Sequence, residues 1–519
     1  MSEREYIVIL NRGVDYDAFW DQIENASEDD GFVPTRRVDI LNSRPGSLRS
    51  CHYKLSDDEA NVLRNDPRVY GVEIPPDQRD DIDMGFDAVQ TGNFTKTTSD
   101  SGDFVNWGLR RCISESNPYG SATTENTGEY SYNLNGEGVD VVIQDSGIQA
   151  DHPEFYDENG NNRVQEIDWY AESGIPGTMP SGHYTDYHGH GTHCAGIAVG
   201  KTYGWAKDAR IYAVKVDGLQ GSSDPGNGIP VSDCFDVIKL WHRNKPVNPA
   251  TGYKRPTIVN MSWGYGGYRS TPSTGTYRGS SWNYSDPTHN SSTELWHETG
   301  IVPPVSFFGR RIPVRVASVD ADVQEMIDEG IHICIAAGNS YYKIEAAGGV
   351  DYDNNANFGR GYNEYYHRGS SPYDDEAFIV GNIDSDVHSS GLEQKASSSC
   401  SGSGVNIYAP GTDIMSTTSS INEMNGGNYP LNESYKIANI SGTSMASPQV
   451  CGLGALMLQL NPHATPQQLK SFMLSKCTNN VMYLGTGDAN YNDTRSIYGG
   501  EEKFMFNPFN SSAQIRILT

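Results

Sequence analysis

Three short segments carry residue types that together can make a nucleophile of a serine: Asp145-Ser146-Gly147, Gly189-His190-Gly191-Thr192-His193 and Gly442-Thr443-Ser444-Met445-Ala446. A serine hydroxyl is a poor nucleophile at neutral pH. It needs a histidine to take its proton and a carboxylate to fix that histidine's tautomer. Asp145, His190 and Ser444 supply one of each, every one in a glycine-flanked turn. Their order along the chain, aspartate then histidine then serine, is neither the chymotrypsin order nor that of the α/β-hydrolases.

Regular elements must hold these side chains in place. Residues 139–144 form a short apolar run that reads as a buried parallel strand delivering Asp145 at its C-terminal end, where open α/β sheets place their sites. Ser444 precedes a long apolar run rich in small residues, 445–458, which suits a buried helix. The serine then sits at a helix N-terminus, where unpaired N–H groups and the dipole favour an oxyanion. Residues 331–337 read as another buried strand, opening into Gly338-Asn339.

In these segments and their order the chain resembles a subtilisin-like serine protease (subtilase, peptidase S8). The Ala337-Gly338-Asn339 segment is similar to the family's alanine-glycine-asparagine, which implies that Asn339 is the side-chain half of an oxyanion hole, with the Ser444 N–H as the other half. Ser262-Trp263-Gly264, after the strand-like run 258–261, resembles one wall of the family's primary specificity pocket. An extended peptide can add to such an edge by main-chain bonds. Tyr408-Ala409-Pro410-Gly411 resembles a further hallmark. The resemblance implies a serine endopeptidase working through an acyl-enzyme on Ser444, with no cofactor needed for the chemistry.

Other readings of the same residues exist. His188, His190 and His193 alternate in a glycine-rich loop and resemble a zinc cluster, but that reading leaves Ser444 and Asn339 without a role. The resemblance assigns the base to His190 alone, with His193 structural in the following helix. Asp145 taken by itself could merely cap a turn.

Composition narrows the classes. A chain of 519 residues with 36% hydrophobic residues is long for one ordinary domain and too polar for a membrane protein, and no transmembrane segment is evident. The net charge of −28 argues against a nucleic-acid partner. Residues 1–10 lack the basic and long apolar regions of a secretory signal, so the expectation is a soluble chain that is intracellular on synthesis, with later release or incorporation into a particle left open. Eight cysteines in so long a chain make no disulfide framework, and several lie in apolar runs as buried thiols. Cys194, four residues after His190, is similar to the proteinase K branch of the family. The run from His193 to Val216 also resembles that branch, omitting the loop that holds a calcium ion in secreted subtilisins. Asp384, in Val380-Gly381-Asn382-Ile383-Asp384, matches a different calcium position of the branch, with Pro372 as a carbonyl donor. Calcium as a structural ion is the resulting expectation.

Organisation along the chain adds a second line. Residues 1–76 read strand (6–10), helix (16–23), strand (37–41), strand (48–55), helix (57–64) and strand (69–74), a small ferredoxin-like α+β unit. It is similar to the inhibitor I9-type pro-domain of many subtilases, which implies an intramolecular inhibitor and a self-processing zymogen. Residues 77–102 read as an exposed linker holding the processing site, between about 78 and 103. The catalytic domain covers 103–500, and 501–519 is a C-terminal tail. Two insertions stand out: 265–312, rich in Tyr, Ser, Gly and Thr with no periodic element until a helix-like stretch at 321–329, and 341–372, rich in Tyr and Asn. Long loops of this kind are often functional, and 265–312 is a candidate surface for protein partners.

The expected fold is α/β: a seven-stranded or similar parallel sheet between helices in three layers, preceded by the α+β unit. The expected partners are polypeptide substrates and the chain's own pro-domain. A second reading is a subtilase-fold structural or assembly component of a larger particle, with latent or no proteolysis.

Overall fold

The computed structural model of the chain describes residues 3–24, 36, 38–81, 83–85, 90–91, 106–119, 132–219, 221, 223–249, 252–304, 309–421, 424 and 426–509. The N-terminal unit runs β1 (Glu3–Leu10), α1 (Tyr16–Glu24), β2 (Asp39–Asn42), β3 (Ser50–Ser56), α2 (Asp57–Leu63) and β4 (Val69–Glu73). The sheet is antiparallel in the order β2-β3-β1-β4, the arrangement a split βαβ pair produces. Tyr6, Val8 and Leu10 alternate on one face of β1 and pack with Phe19, Leu55 and Val72 in a separate core. The sequence sets the start of α2: Ser56 accepts from Glu59 N at 3.3 Å while Glu59 accepts from Ser56 N at 2.8 Å, a capping box.

Two short strands follow, β5 (Asp83–Gly85) and β6 (Gln90–Thr91), then α3 (Trp107–Arg111). The larger unit continues with β7 (Asp140–Asp145), α4 (Trp169–Ser173), α5 (His190–Val199), β8 (Arg210–Lys215), α6 (Val231–Asn244), β9 (Thr257–Met261), β10 (Gly264–Arg269), β11 (Thr274–Tyr277), β12 (Ser280–Asn283) and α7 (Ser292–Thr299). It closes with β13 (Arg310–Pro313), α8 (Ala317–Asp328), β14 (His332–Ala336), β15 (Asn355–Asn357), β16 (Glu364–Tyr365), β17 (Phe378–Val387), β18 (Glu393–Lys395), β19 (Ile407–Pro410), β20 (Ile414–Thr418), β21 (Gly427–Tyr429), β22 (Asn432–Ser441), α9 (Thr443–Leu460) and α10 (Pro466–Lys476).

Seven strands make the central sheet, ordered β18-β17-β14-β9-β7-β8, with β19 also on β17. All neighbours are parallel except β17 and β18. Every residue of β7 is buried, as a strand covered on both faces requires. The chain moves one way along the sheet through α5, from β7 to β8. It moves the other way through α6 and α8, from β8 to β9 and from β9 to β14. Right-handed crossovers therefore put α5 on one face and α6 with α8 on the opposite one. Helix α9 packs with α5 and lies across β9, β14, β17 and β19. Among the described residues no helix is long and apolar enough to cross a membrane.

Three expectations are corrected. The segment 265–312 is not an irregular loop: it contains β10 to β12, α7 and the start of β13, and α8 begins at Ala317 rather than 321. The two insertions form one structure, a sheet ordered β12-β11-β15-β16. It is locked by Asp351, which takes Arg278 at 2.7 Å, Lys343 at 2.6 Å and Asn354 at 2.8 Å. These cations hold the Asp351 carboxyl far below the usual range against the opposing effect of burial. The supposed tail is packed as far as it is described: Met505 N donates to the Tyr408 carbonyl at 2.8 Å, and Phe504 and Met505 are buried.

The N-terminal unit is seated on α6 and α8 by buried charge. The Arg44 guanidinium reaches Asp322 at 2.7 Å and Asp236 at 3.1 Å, and Lys239 joins Asp236 at 2.9 Å and Glu325 at 2.5 Å. Ser47 Oγ and Arg49 N donate to Glu325 at 2.9 and 3.1 Å. Helix α8 has no cap from its own preceding residue, and Glu73 supplies one, accepting from Ala317 N at 3.1 Å and Ser318 N at 2.7 Å.

Candidate active site

Asp145 ends β7 and His190 opens α5, and both are fully buried. His190 Nδ1 lies 2.9 and 3.0 Å from the two Asp145 oxygens. That geometry puts the ring proton on Nδ1 and leaves Nε2 as the basic nitrogen. Gly189 turns into the helix at φ +92°, and a Cβ on Gly191 would overlap the Gly147 carbonyl oxygen. The glycines flanking His190 are thus what let it approach Asp145.

Ser444 is the second residue of α9 and 2% exposed. Its Oγ donates to the Ser262 carbonyl at 3.1 Å, and Ser262 Oγ donates back to the Ser444 carbonyl at 3.0 Å. Asn339 follows β14, and its Oδ1 accepts from Thr443 N at 2.9 Å. With that oxygen engaged, its amide NH2 is the donor end of the group. A Cβ built on Gly442 would lie 3.1 Å from Asn339 Nδ2, which places the amide nitrogen against the turn that carries the serine. The structure therefore gathers Asp145, His190, Ser444, Asn339 and Ser262 into one place, at the C-terminal ends of parallel strands and the N-termini of two helices.

Other expected site residues fare differently. The Trp263 side chain is 3% exposed and packs between Phe235 and Tyr265, so only its main chain faces the strand edge. Gly264 pairs antiparallel with Gly85 of β5, and Gly266 with Asp83. The three histidines do not form a metal cluster: His193 Nε2 is on the Ala438 carbonyl at 2.9 Å, and burial pushes its pKa down to about 3. Burial and neighbouring His190 likewise lower that of His188. Among the described residues, Asp145, His190 and Cys194 form the sole close group of three metal-ligating types. Cys194 Sγ lies 3.8 Å from His190 Nδ1 and 3.3 Å from the Ser444 carbonyl, and burial drives the thiol well up, keeping it protonated.

Asp384, the expected calcium ligand, is already partnered. One of its oxygens is paired with Arg495 and the other accepts from Asp386 N at 3.2 Å. Calcium takes six to eight oxygen ligands, and one carboxylate already neutralised by a guanidinium does not fit that need.

Two positioning residues were not read from the sequence. Asp186 is buried and accepts from Gly189 N at 2.7 Å, His188 N at 3.0 Å and Thr192 N at 2.9 Å, capping α5 and fixing the His190 turn. Asn260 donates to Ser262 Oγ at 2.9 Å and accepts from Ser447 Oγ at 2.8 Å, tying the strand edge to α9. Asp186 sits in a polar loop, where an aspartate is commonplace, and Asn260 lies inside the strand-like run 258–261, from which its partners cannot be read.

Residues 136–499 match the subtilase family, peptidase S8, and the chain belongs to that family. It is similar to a subtilisin-like protease of Coccidioides posadasii, 27% identical over 390 residues that cover 72% of this chain and 56% of the relative. It is also similar to an extracellular serine proteinase of a Thermus strain, 27% identical over 446 residues, 86% of this chain and 74% of that one. The match thus spans little more than half the length of the Coccidioides protein. The fold is shared with the crystal structure of fervidolysin from Fervidobacterium pennivorans, a keratinolytic enzyme related to subtilisin. That likeness has a TM-score of 0.52 at 15% identity and covers 97% of this chain and 60% of the other.

Proposed function

We propose that this chain is a serine endopeptidase of the proteinase K-like branch, made as a zymogen that cuts itself. The observation that carries the activity is the buried Asp145–His190 pair, with Cys194 Sγ lying 3.8 Å from the imidazole and 3.3 Å from the main-chain carbonyl of Ser444 at the N-terminus of α9. The Ser444 hydroxyl turns from the Ser262 carbonyl, gives its proton to His190 Nε2 and attacks the peptide carbonyl. Asp145 holds the ring and stabilises the imidazolium. Negative charge developing on the carbonyl oxygen is met by the Asn339 amide and the Ser444 N–H. His190 then protonates the leaving amine, and water hydrolyses the acyl-enzyme by the same proton relay. The Cys194 thiol beside His190 supports placement in the branch.

The N-terminal unit is proposed as an I9-type pro-domain and intramolecular inhibitor. Its seat on α6 and α8 supports this, as do the two strands that follow it. β5 pairs with β10, directly after Ser262, and Ser441 and Ile440, just before Ser444, pair with Gln90 and Thr91 of β6. A chain paired on both sides of Ser444 is bound as a substrate is bound. The processed bond on this reading lies between Gly85 and Gln90; residues 86–89 themselves lie outside the described residues. Intact-mass measurement of the wild type against Ser444→Ala tests it. The expected result is an N-terminal fragment ending between residues 85 and 89 in the wild type only. An uncut wild-type chain, or the same cut in Ser444→Ala, contradicts self-processing.

A further inference from the structure

Two buried lysines have their ammonium groups met by main-chain oxygens. Lys207 Nζ donates to the carbonyls of Lys201 at 2.8 Å and Gly204 at 2.7 Å. Lys395, at the end of β18, is the fullest case. It is wholly buried, and its Nζ lies within hydrogen-bond reach of four carbonyls: Ala396 and Ser397 at 3.2 Å, Ser399 at 2.9 Å and Thr494 at 2.8 Å. Burial pushes the Lys395 pKa down to about 7, and against that this nest offers the ammonium's three protons more acceptors than they need, which favours the charged form. The Lys395 carbonyl in turn accepts from Arg495 Nη1 at 3.0 Å, and Arg495 neutralises Asp384 on β17. On the chain entering β17 the pattern recurs: Lys470 donates to the carbonyls of Asp375 and Ala377. Oxygen nests along this strand, of the kind a hard cation would take, are filled by side chains of the protein itself.

We propose that Lys395 and Arg495 are a built-in replacement for a structural cation beside β17, so that the protein takes no calcium at Asp384. A bound ion stabilises a fold only as the logarithm of its concentration over its dissociation constant and is lost to a chelator, whereas a tethered ammonium or guanidinium is always present. Stability at this place is then indifferent to chelators.

The test is thermal unfolding of the full chain carrying Ser444→Ala, which prevents self-digestion, in excess EDTA and in millimolar calcium at matched ionic strength. In this parent the Tm difference between the two conditions, whatever its size, is expected to be unaltered by Asp384→Asn. Adding Arg495→Ala lowers Tm, and calcium restores part of the loss through the freed carboxylate, an effect that disappears with Asp384→Asn. A calcium-dependent rise in the parent that Asp384→Asn abolishes overturns the proposal. So does an Arg495→Ala protein that is destabilised yet blind to calcium. Where Arg495→Ala fails to fold, the Asp384→Asn comparison in the parent decides.

Discussion

Ser444 is held by groups that do no chemistry themselves: Ser262 bonds it in both directions, Asn260 bonds Ser262, and Cys194 touches its carbonyl. Asn339 accepts from Thr443 N, and in the proposed mechanism its amide meets the developing oxyanion. Asn339→Asp keeps the acceptor and removes the donor. Steady-state kinetics of the processed protein should show kcat down by about 10²–10³-fold, roughly 3–4 kcal/mol, a magnitude that comes from subtilisin's own oxyanion asparagine, with KM little changed. An unchanged kcat would remove Asn339 from the mechanism. Asp145, His190, Ser444 and Asn339 could be read from the sequence because each lies in a glycine-bearing turn, and all but His190 border an apolar run. Asp186 and Asn260 could not, because their meaning lies in bonds to residues that only the fold brings near.

The same distinction holds for strands and helices. The N-terminal unit and the strands of the central sheet follow apolar alternation or continuous apolar runs, and the predicted bounds fall within a few residues of those observed. The sheet built from the two insertions escaped because β11, β12, β15 and β16 are made of Thr, Gly, Ser, Asn, Glu, Tyr and other residues without apolar alternation, and their pairing joins segments about eighty residues apart. Partners far apart in sequence also explain how α6 and α8 hold the N-terminal unit, through Arg44. Replacing Arg44 with Ala leaves Asp236, Asp322 and Glu325 with Lys239 as the cation of the buried cluster. Breaking such a pair costs about 3–5 kcal/mol. Arg44→Ala in the Ser444→Ala chain is therefore expected to unfold the N-terminal unit at lower urea than the larger unit, giving two transitions by amide exchange. One coincident transition, unshifted from the parent, would show that Arg44 contributes nothing to the seat.

For the molecule as a whole, buried neutral histidines set the acid limit. Burial holds His152 and His183 down to about 4, and His193, His332 and His367 down to about 3. These folded values lie below the unfolded value of about 6.5, so beneath that pH the unfolded chain takes up protons that the folded chain refuses. Stability is full above about pH 6.5 and falls as pH drops towards the folded values, by about 2 kcal/mol per such histidine at pH 5. Asp322, pushed up to about 6 by burial, works in the opposite direction, as do Glu73, Asp320 and Asp374, raised by the same cause, and these offset part of the loss. The urea midpoint of Ser444→Ala should fall steeply from pH 7 to 5 and stay level from 7 to 8; a midpoint constant down to pH 5 would refute this account. The central claim is that Asp145, His190 and Ser444 work as a triad, and a fluorophosphonate probe on processed wild-type protein tests it most directly. The account predicts one adduct per chain, on the peptide containing Ser444, with peptide-bond cleavage lost in step. Processed protein that stays unlabelled, or cleavage that persists after labelling is complete, would contradict it.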